Sequence, residues 1–154
     1  MGAIFRWLRR LYNLLINATA VRYLSLPANV VGVTVTGAAG ANAKGAYAEI
    51  NDGTGITVES QIVGVIISPG MVDIYHVDLA SGLGAAEVIL VANLPVELAV
   101  VVITAVGEYA TSPSPIWLPT PITIPPGTRL SARLATVGGG SDTATVAVIL
   151  KQGY

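Results

Sequence analysis

Beyond Pro27 the chain consists of short runs of β-branched and apolar residues separated by glycine, proline, asparagine and aspartate, with no helical period of useful length. This pattern predicts strands over Val30–Thr36, Gly45–Asn51, Thr57–Ile67, Met71–Leu79, Glu87–Ala92, Leu98–Val106, Thr128–Ala135 and Thr143–Lys151. Asn51-Asp52-Gly53-Thr54-Gly55, Ser68-Pro69-Gly70 and Asn93-Leu94-Pro95 read as turns that end strands. Leu98–Val106 is nearly continuous in apolar residues, as expected of a strand buried on both faces. In Thr128–Ala135 the period of two puts Leu130, Ala132 and Leu134 on one face and Arg129, Ser131 and Arg133 on the other. Residues 111–127 carry Pro113, Pro115, Pro119, Pro121, Pro125 and Pro126. Proline removes the donor that a central strand needs, so this stretch is expected at an extended edge, anchored by Trp117, Ile122 and Ile124. Eight or more short strands at this spacing indicate an all-β fold. A jelly-roll-like β-sandwich is the first expectation and an immunoglobulin-like sandwich, here without its disulfide, the second.

The first 17 residues differ in kind. At 100° per residue Arg6, Arg9, Arg10, Asn13 and Asn17 fall within an arc of about 100°. Ile4, Phe5, Trp7, Leu8, Leu11, Tyr12, Leu14, Leu15 and Ile16 fill the remainder. The pattern predicts an N-terminal amphipathic α-helix over 1–17, followed by a β-sandwich domain over 18–154. The spacing of Ile4, Leu8, Leu11 and Leu15 matches a coiled-coil seam over two heptads. A helix this short is marginal alone in water, so its order requires a surface to pack on.

Composition sharpens this picture. The 154-residue chain is 53% apolar and 11% charged, against roughly 25% charged in an ordinary soluble domain. Much of its surface is therefore expected to meet partners. The net charge of −1 is unevenly placed. Residues 1–22 hold Arg6, Arg9, Arg10 and Arg22 with no acid, whereas the rest holds four basic residues against nine acidic, a net of −5. The body offers no basic stripe, which argues against nucleic acid as a partner. No run of 18 apolar residues is present to suggest a membrane-spanning helix. Ala18-Thr19-Ala20 resembles a signal-peptide cleavage site, but Asn13 interrupts the preceding apolar run, and a cleaved signal is not expected.

The segment Trp117-Leu118-Pro119-Thr120-Pro121-Ile122-Thr123-Ile124-Pro125-Pro126-Gly127-Thr128-Arg129-Leu130-Ser131-Ala132-Arg133-Leu134 resembles one found in small virion proteins of tailed bacteriophages. There an apolar, proline-containing stretch leads into an Ile-Pro-x-Gly-Ser/Thr-Arg block, followed by a closing strand rich in threonine and valine. Thr143-Ala144-Thr145-Val146-Ala147-Val148 matches that strand, and Val77–Leu90, a strand, a Gly/Ala loop and a second strand, also looks like a recurring element. The resemblance covers residues 75–150 and leaves out the N-terminal segment. It implies a jelly-roll-like virion structural protein located in the particle, either a capsid decoration protein or a neck or tail component.

Candidate chemistry is sparse. Without cysteine, disulfides, cysteine-ligated zinc and thiol catalysis are excluded. His76, the sole histidine, projects from the same strand face as Asp78, but one histidine and one carboxylate do not make a metal site. Gly82-Leu83-Gly84-Ala85-Ala86-Glu87 lacks the third glycine of a dinucleotide fingerprint and precedes a strand. Asp52-Gly53-Thr54-Gly55 lacks the further carboxylates of a calcium loop and reads as a hairpin or wider loop. No Gly-x-Ser-x-Gly elbow is present, and the acids are scattered. An enzyme is therefore not expected, nor a cofactor or a bound metal. A carbohydrate-binding module is disfavoured because Tyr47, Tyr75, Tyr109 and Trp117 are dispersed.

The expected sites are contacts with partners. Phe5, Arg6, Trp7, Arg9, Arg10, Leu11 and Tyr12 form the candidate attachment segment, since interface hot spots favour Trp, Tyr and Arg. Its surface could be the major capsid protein or another virion protein, a trimer mate, or the chain's own β-domain, with lipid the least favoured. Arg129 and Arg133, on one strand face, suit either a rim contact with a neighbouring subunit or a solvated sheet face. The seam spacing and the low charge together predict a homotrimer.

Overall fold

The computed structural model describes residues 21–28, 32–70, 73–82, 84–97 and 115–153, together with Arg6, Leu8 and Arg10. Nine strands lie in these residues: β1 Arg22–Leu26, β2 Val33–Thr36, β3 Ala48–Asn51, β4 Ser60–Pro69, β5 Ile74–Ser81, β6 Val88–Glu97, β7 Pro115–Ile124, β8 Leu130–Thr136 and β9 Thr143–Gln152. They form two antiparallel sheets. Sheet A has the order β1-β9-β4-β7, with β2 pairing the same edge of β9 beyond β1. Sheet B has the order β3-β8-β5-β6. The last two strands each sit inside a sheet, β8 between β3 and β5 and β9 between β1 and β4. Apart from Arg6, Leu8 and Arg10, the predicted helix over 1–17 lies outside the described residues, as do its boundary with the β-domain and the predicted strand over Leu98–Val106.

Alternation explains the layering. On β9, Ala144, Val146, Val148 and Leu150 are buried, while Thr145, Ala147, Ile149 and Lys151 point away from the core. Facing them across the sandwich are Tyr75, Val77 and Leu79 of β5 and Leu130, Ala132 and Leu134 of β8. Ile62, Val65 and Ile67 of β4 complete the layer. Each fully buried aliphatic side chain here contributes about 1.5–3 kcal/mol relative to exposure.

Several element boundaries differ from expectation for identifiable reasons. Arg22–Leu26 was not anticipated as a strand; only Leu24 and Leu26 turn inward, and its ladder comes from the distant residues Val148–Gln152. The turn expected at Asn93-Leu94-Pro95 is instead a bulge inside β6. Ala92 and Asn93 lie between the pairs Leu79–Val91 and Val77–Leu94, and Asn93 takes a left-handed conformation with φ of 52°. Asparagine tolerates that region, so a turn former serves to bend an edge strand. Regular pairing of β3 begins at Ala48, not Gly45. A side chain at Gly45 would collide with the Thr36 carbonyl, so glycine lets the edges of the two sheets meet there.

The proline-rich stretch does form an edge strand. β7 pairs only with β4, and Leu118–Pro121 loop out between the pairs Gly64–Trp117 and Ile62–Ile122. Ile124 is buried and Ile122 packs against the core, as expected. Trp117 does not. It faces outward with 59% of its surface exposed. The loop-out after Trp117 accommodates two prolines without ladder donors, and Trp117, an odd number of residues before Ile122 and Ile124, falls on the face opposite theirs.

Candidate functional site

The polar residues gather on the outer face of sheet B. Asp78 stands on β5 opposite Arg133 of β8, and its carboxylate is 2% exposed although it points away from the core. Three neighbours hold it. The Arg133 Nε donates to Oδ2 at 2.8 Å, the Lys44 Nζ donates to Oδ1 at 2.8 Å, and the backbone N–H of Asn93 donates to Oδ1 at 2.8 Å. Lys44 also donates to the Asn93 side-chain oxygen at 2.7 Å. The Arg133 guanidinium lies 4.7 Å from the centre of the Tyr47 ring. Burial alone would push Asp78 up, but the hydrogen bonds from Asn93, Lys44 and Arg133, with the Lys44 charge, hold it below the usual carboxylate range. Burial pushes the Tyr47 phenol up; nearby Arg133 opposes this, while Asp78 and Glu87 add to it.

This arrangement is a clamp. It ties the β2–β3 connection, through Lys44 and Tyr47, to β5, β8 and the bulge of β6. Arg129 lies on the same face and pairs with Glu49. Arg129 and Arg133 are thus both in ion pairs within the chain. Arg129, 38% exposed at its side chain, is the better placed of the two for an outside contact. Lys44, Tyr47 and Asn93 were not singled out from sequence. One clue was available: an aspartate in the otherwise apolar β5 demands a cation, and Lys44 is the lone charge in the Gly/Ala-rich stretch before β3.

The other candidates resolve into structure. His76 is half-buried opposite Ala135 and Pro95. Asp78, its same-face neighbour, is occupied by cations, and no group of three or more metal-ligating side chains occurs among the described residues. Asp52 closes its own turn, accepting from the Thr54 N–H at 2.9 Å and the Thr54 hydroxyl at 2.6 Å. Those hydrogen bonds lower its pKa. Residues after Glu87 form β6, a strand, as expected of a loop that is not a dinucleotide fingerprint. Of the attachment segment, Arg6, Leu8 and Arg10 alone are described, and Phe5, Trp7, Arg9, Leu11 and Tyr12 lie outside the described residues.

The outer face of sheet A has the opposite chemistry. A side chain built on Gly64 would lie 3.1 Å from the Trp117 ring and 3.4 Å from the Ile149 side chain, so all three share this face. Tyr23 pairs in register with Lys151, which pairs with Gln61, and Ser25 pairs with Ile149, which pairs with Gly64. Ala147 and Ile66 form the next row, and Thr145 and Ser68 the one after. Lys151 is the one charge among these residues.

The fold is thus a two-sheet antiparallel β-sandwich with one charged outer face and one almost uncharged. No family model matches the chain, and no curated protein matches it. Among solved structures it is similar to one of the infectious bursal disease virus Gt strain, at 11% identity and a TM-score of 0.37, covering 88% of this chain and 34% of that one. A structure of the Gx strain of the same virus gives 12% identity and a TM-score of 0.38, covering 88% and 33%. The chain spans about a third of the length of those proteins.

Proposed function

We propose that this chain is a jelly-roll structural component of a virion. The strand order carries the reading. Two four-membered layers, β1-β9-β4-β7 and β3-β8-β5-β6, with β2 continuing the edge of β1, follow from a long hairpin whose strand pairs β1/β9, β3/β8, β4/β7 and β5/β6 fall alternately in sheet A and sheet B. That winding is the jelly roll, an architecture used by viral capsid and lectin domains and by cupins. Three features favour the viral use. The chain resembles small phage virion proteins over residues 75–150. Its charge content is low, as suits a surface that neighbours cover. A sugar platform is poorly supported, because the exposed aromatics Tyr23 and Trp117 stand on opposite edge strands of sheet A, about 14 Å apart across three strand spacings.

In its finer form the proposal is a capsid decoration protein, attached to its neighbours in the particle through residues 1–17 and assembled as a homotrimer. A neck or tail position is the alternative. The role needs neither catalysis nor a cofactor. Co-sedimentation with particles lacking the protein tests it. The full chain should pellet with the particles, and the double substitution Trp7→Ala with Leu11→Ala should weaken attachment while the circular dichroism of the β-domain is unchanged. A chain that does not pellet with particles contradicts the role. Undiminished pelleting of the double variant contradicts the attachment mode.

A further inference from the structure

We propose that Lys44 and Asn93 join through an amide bond between their side chains, formed in the folded chain with release of ammonia and with Asp78 as the base. An amine, a carboxamide and a carboxylate meet at this point. The Lys44 Nζ lies 2.7 Å from the Asn93 Oδ1 and 2.8 Å from the Asp78 Oδ1. An ammonium has only donors, so the Asn93 oxygen faces it and Nδ2 is turned away. Adding a carbonyl bond of about 1.2 Å to the 2.7 Å contact puts the Asn93 Cγ at most about 3.9 Å from Nζ. That is close to the range of about 3–3.5 Å from which a positioned nucleophile attacks.

The fold holds all three groups in place. The Gly45 N–H donates to the Leu134 carbonyl and the Asn42 N–H to the Thr136 carbonyl, each at 2.8 Å, so the stretch that carries Lys44 is fastened to β8. Asn93 sits in the bulge of β6, with its own N–H on the Asp78 Oδ1 at 2.8 Å. Bulges re-aim side chains, and this one turns Asn93 toward Lys44. The Arg133 Nε holds the other Asp78 oxygen at 2.8 Å. The Lys44 side chain is 23% exposed and that of Asp78 3%, which keeps most water from the amine. Asn93 itself is exposed, so ammonia can leave.

The step balances. Asp78 takes one proton from the Lys44 ammonium, and the freed Nζ lone pair attacks Cγ and opens its carbonyl. Nζ passes a second proton to Nδ2. The carbonyl re-forms, the Cγ–Nδ2 bond breaks, and ammonia departs with the bonding pair. Asp78 then gives its proton to that ammonia and is ionised again. No oxidant or cofactor is needed. Burial raises the Asp78 pKa, but the hydrogen bonds from Asn93, Lys44 and Arg133 bring it below the usual range, so Asp78 is a weak base and the reaction takes days. The bond closes a loop over residues 44–93 that contains β3, β4 and β5, and it straps the approach to β3 to the far edge of sheet B. It gives a chain without cysteine a crosslink that reducing conditions do not open.

Mass spectrometry of the full chain, kept folded at neutral pH for several weeks, tests this. The chain should become lighter by one ammonia. Cleavage after glutamate should then yield a branched species that joins the peptide ending at Glu49 to residues 88–97. Lys44→Arg keeps the charge beside Asp78 and should retain the full mass, as should Asn93→Ala. Asp78→Asn should slow the loss at least tenfold. The branched species decides, because an asparagine that cyclises onto its own backbone also releases ammonia. Ammonia loss without the branched species, or equal loss in Lys44→Arg, overturns the proposal. So does an unsubstituted chain that keeps its full mass throughout. Linkage at an undiminished rate in Asp78→Asn overturns the assignment of Asp78 as the base.

Discussion

Asp78 is the residue on which the polar face depends. Its carboxylate accepts from two cations and one backbone amide in a nearly dry position. Asp78→Asn keeps the shape but leaves Lys44 and Arg133 without a counter-charge. Because both cations are about a quarter exposed, the cost should be discounted from that of a fully buried pair, to about 2–3 kcal/mol by chemical denaturation. The pH dependence follows from the sign of the shift. A carboxylate held low when folded contributes stability above its unfolded value of about 3.9, and loses it as pH falls through the lower folded value. Stability should therefore be flat between about pH 7 and 5 on this account and fall below about pH 4, with a shallower fall in Asp78→Asn. An equally steep acid transition in the variant would show that Asp78 is not the group responsible. His76→Ala removes a half-buried side chain with no metal cluster around it and should cost at most about 1 kcal/mol. A stoichiometric bound ion lost in that variant would overturn the structural reading of His76.

At the scale of elements, the junction of β2 and β3 is the least tolerant point. Gly45→Ala would drive a methyl group into the Thr36 carbonyl where the two sheets meet, and should destabilise by about 1–3 kcal/mol, measured by thermal melting. Trp117→Ala, on the outer face, should leave the melting temperature nearly unchanged. The contrast between these elements shows what sequence could disclose. Alternation in Thr143–Lys151 and in Leu130–Leu134 is local, and both strands, with the shared face of Leu130, Ala132 and Leu134, followed from it. Prolines placed β7 at an edge for a local reason as well. The strand Arg22–Leu26 was not legible, since its pairing lies more than a hundred residues away and its apolar pattern is only two residues long. The outward orientation of Trp117 was legible, since it lies an odd number of residues before the inward Ile122 and Ile124. The clamp was half legible. Arg133 and Asp78 were both noted, but their pairing is set by the register of β5 against β8, and Lys44 comes from a connection with no periodic pattern at all.

On the scale of the whole molecule, the two outer faces divide the work. Sheet B is charged, internally paired and rigidly tied to the β2–β3 connection. Sheet A is nearly uncharged and open, and the chain enters it at β1 directly after the basic amphipathic segment. A jelly roll with one bland face and one apolar segment is suited to being covered by neighbours, which is the central claim: this chain is a structural part of a particle. Electron microscopy of the native particle at a resolution that traces strands tests it most directly. The account predicts repeated copies at fixed positions, each with the order β1-β9-β4-β7 facing β3-β8-β5-β6 and with the outer face of sheet A covered. Purified particles in which no such density and no peptides of this chain are found would contradict it.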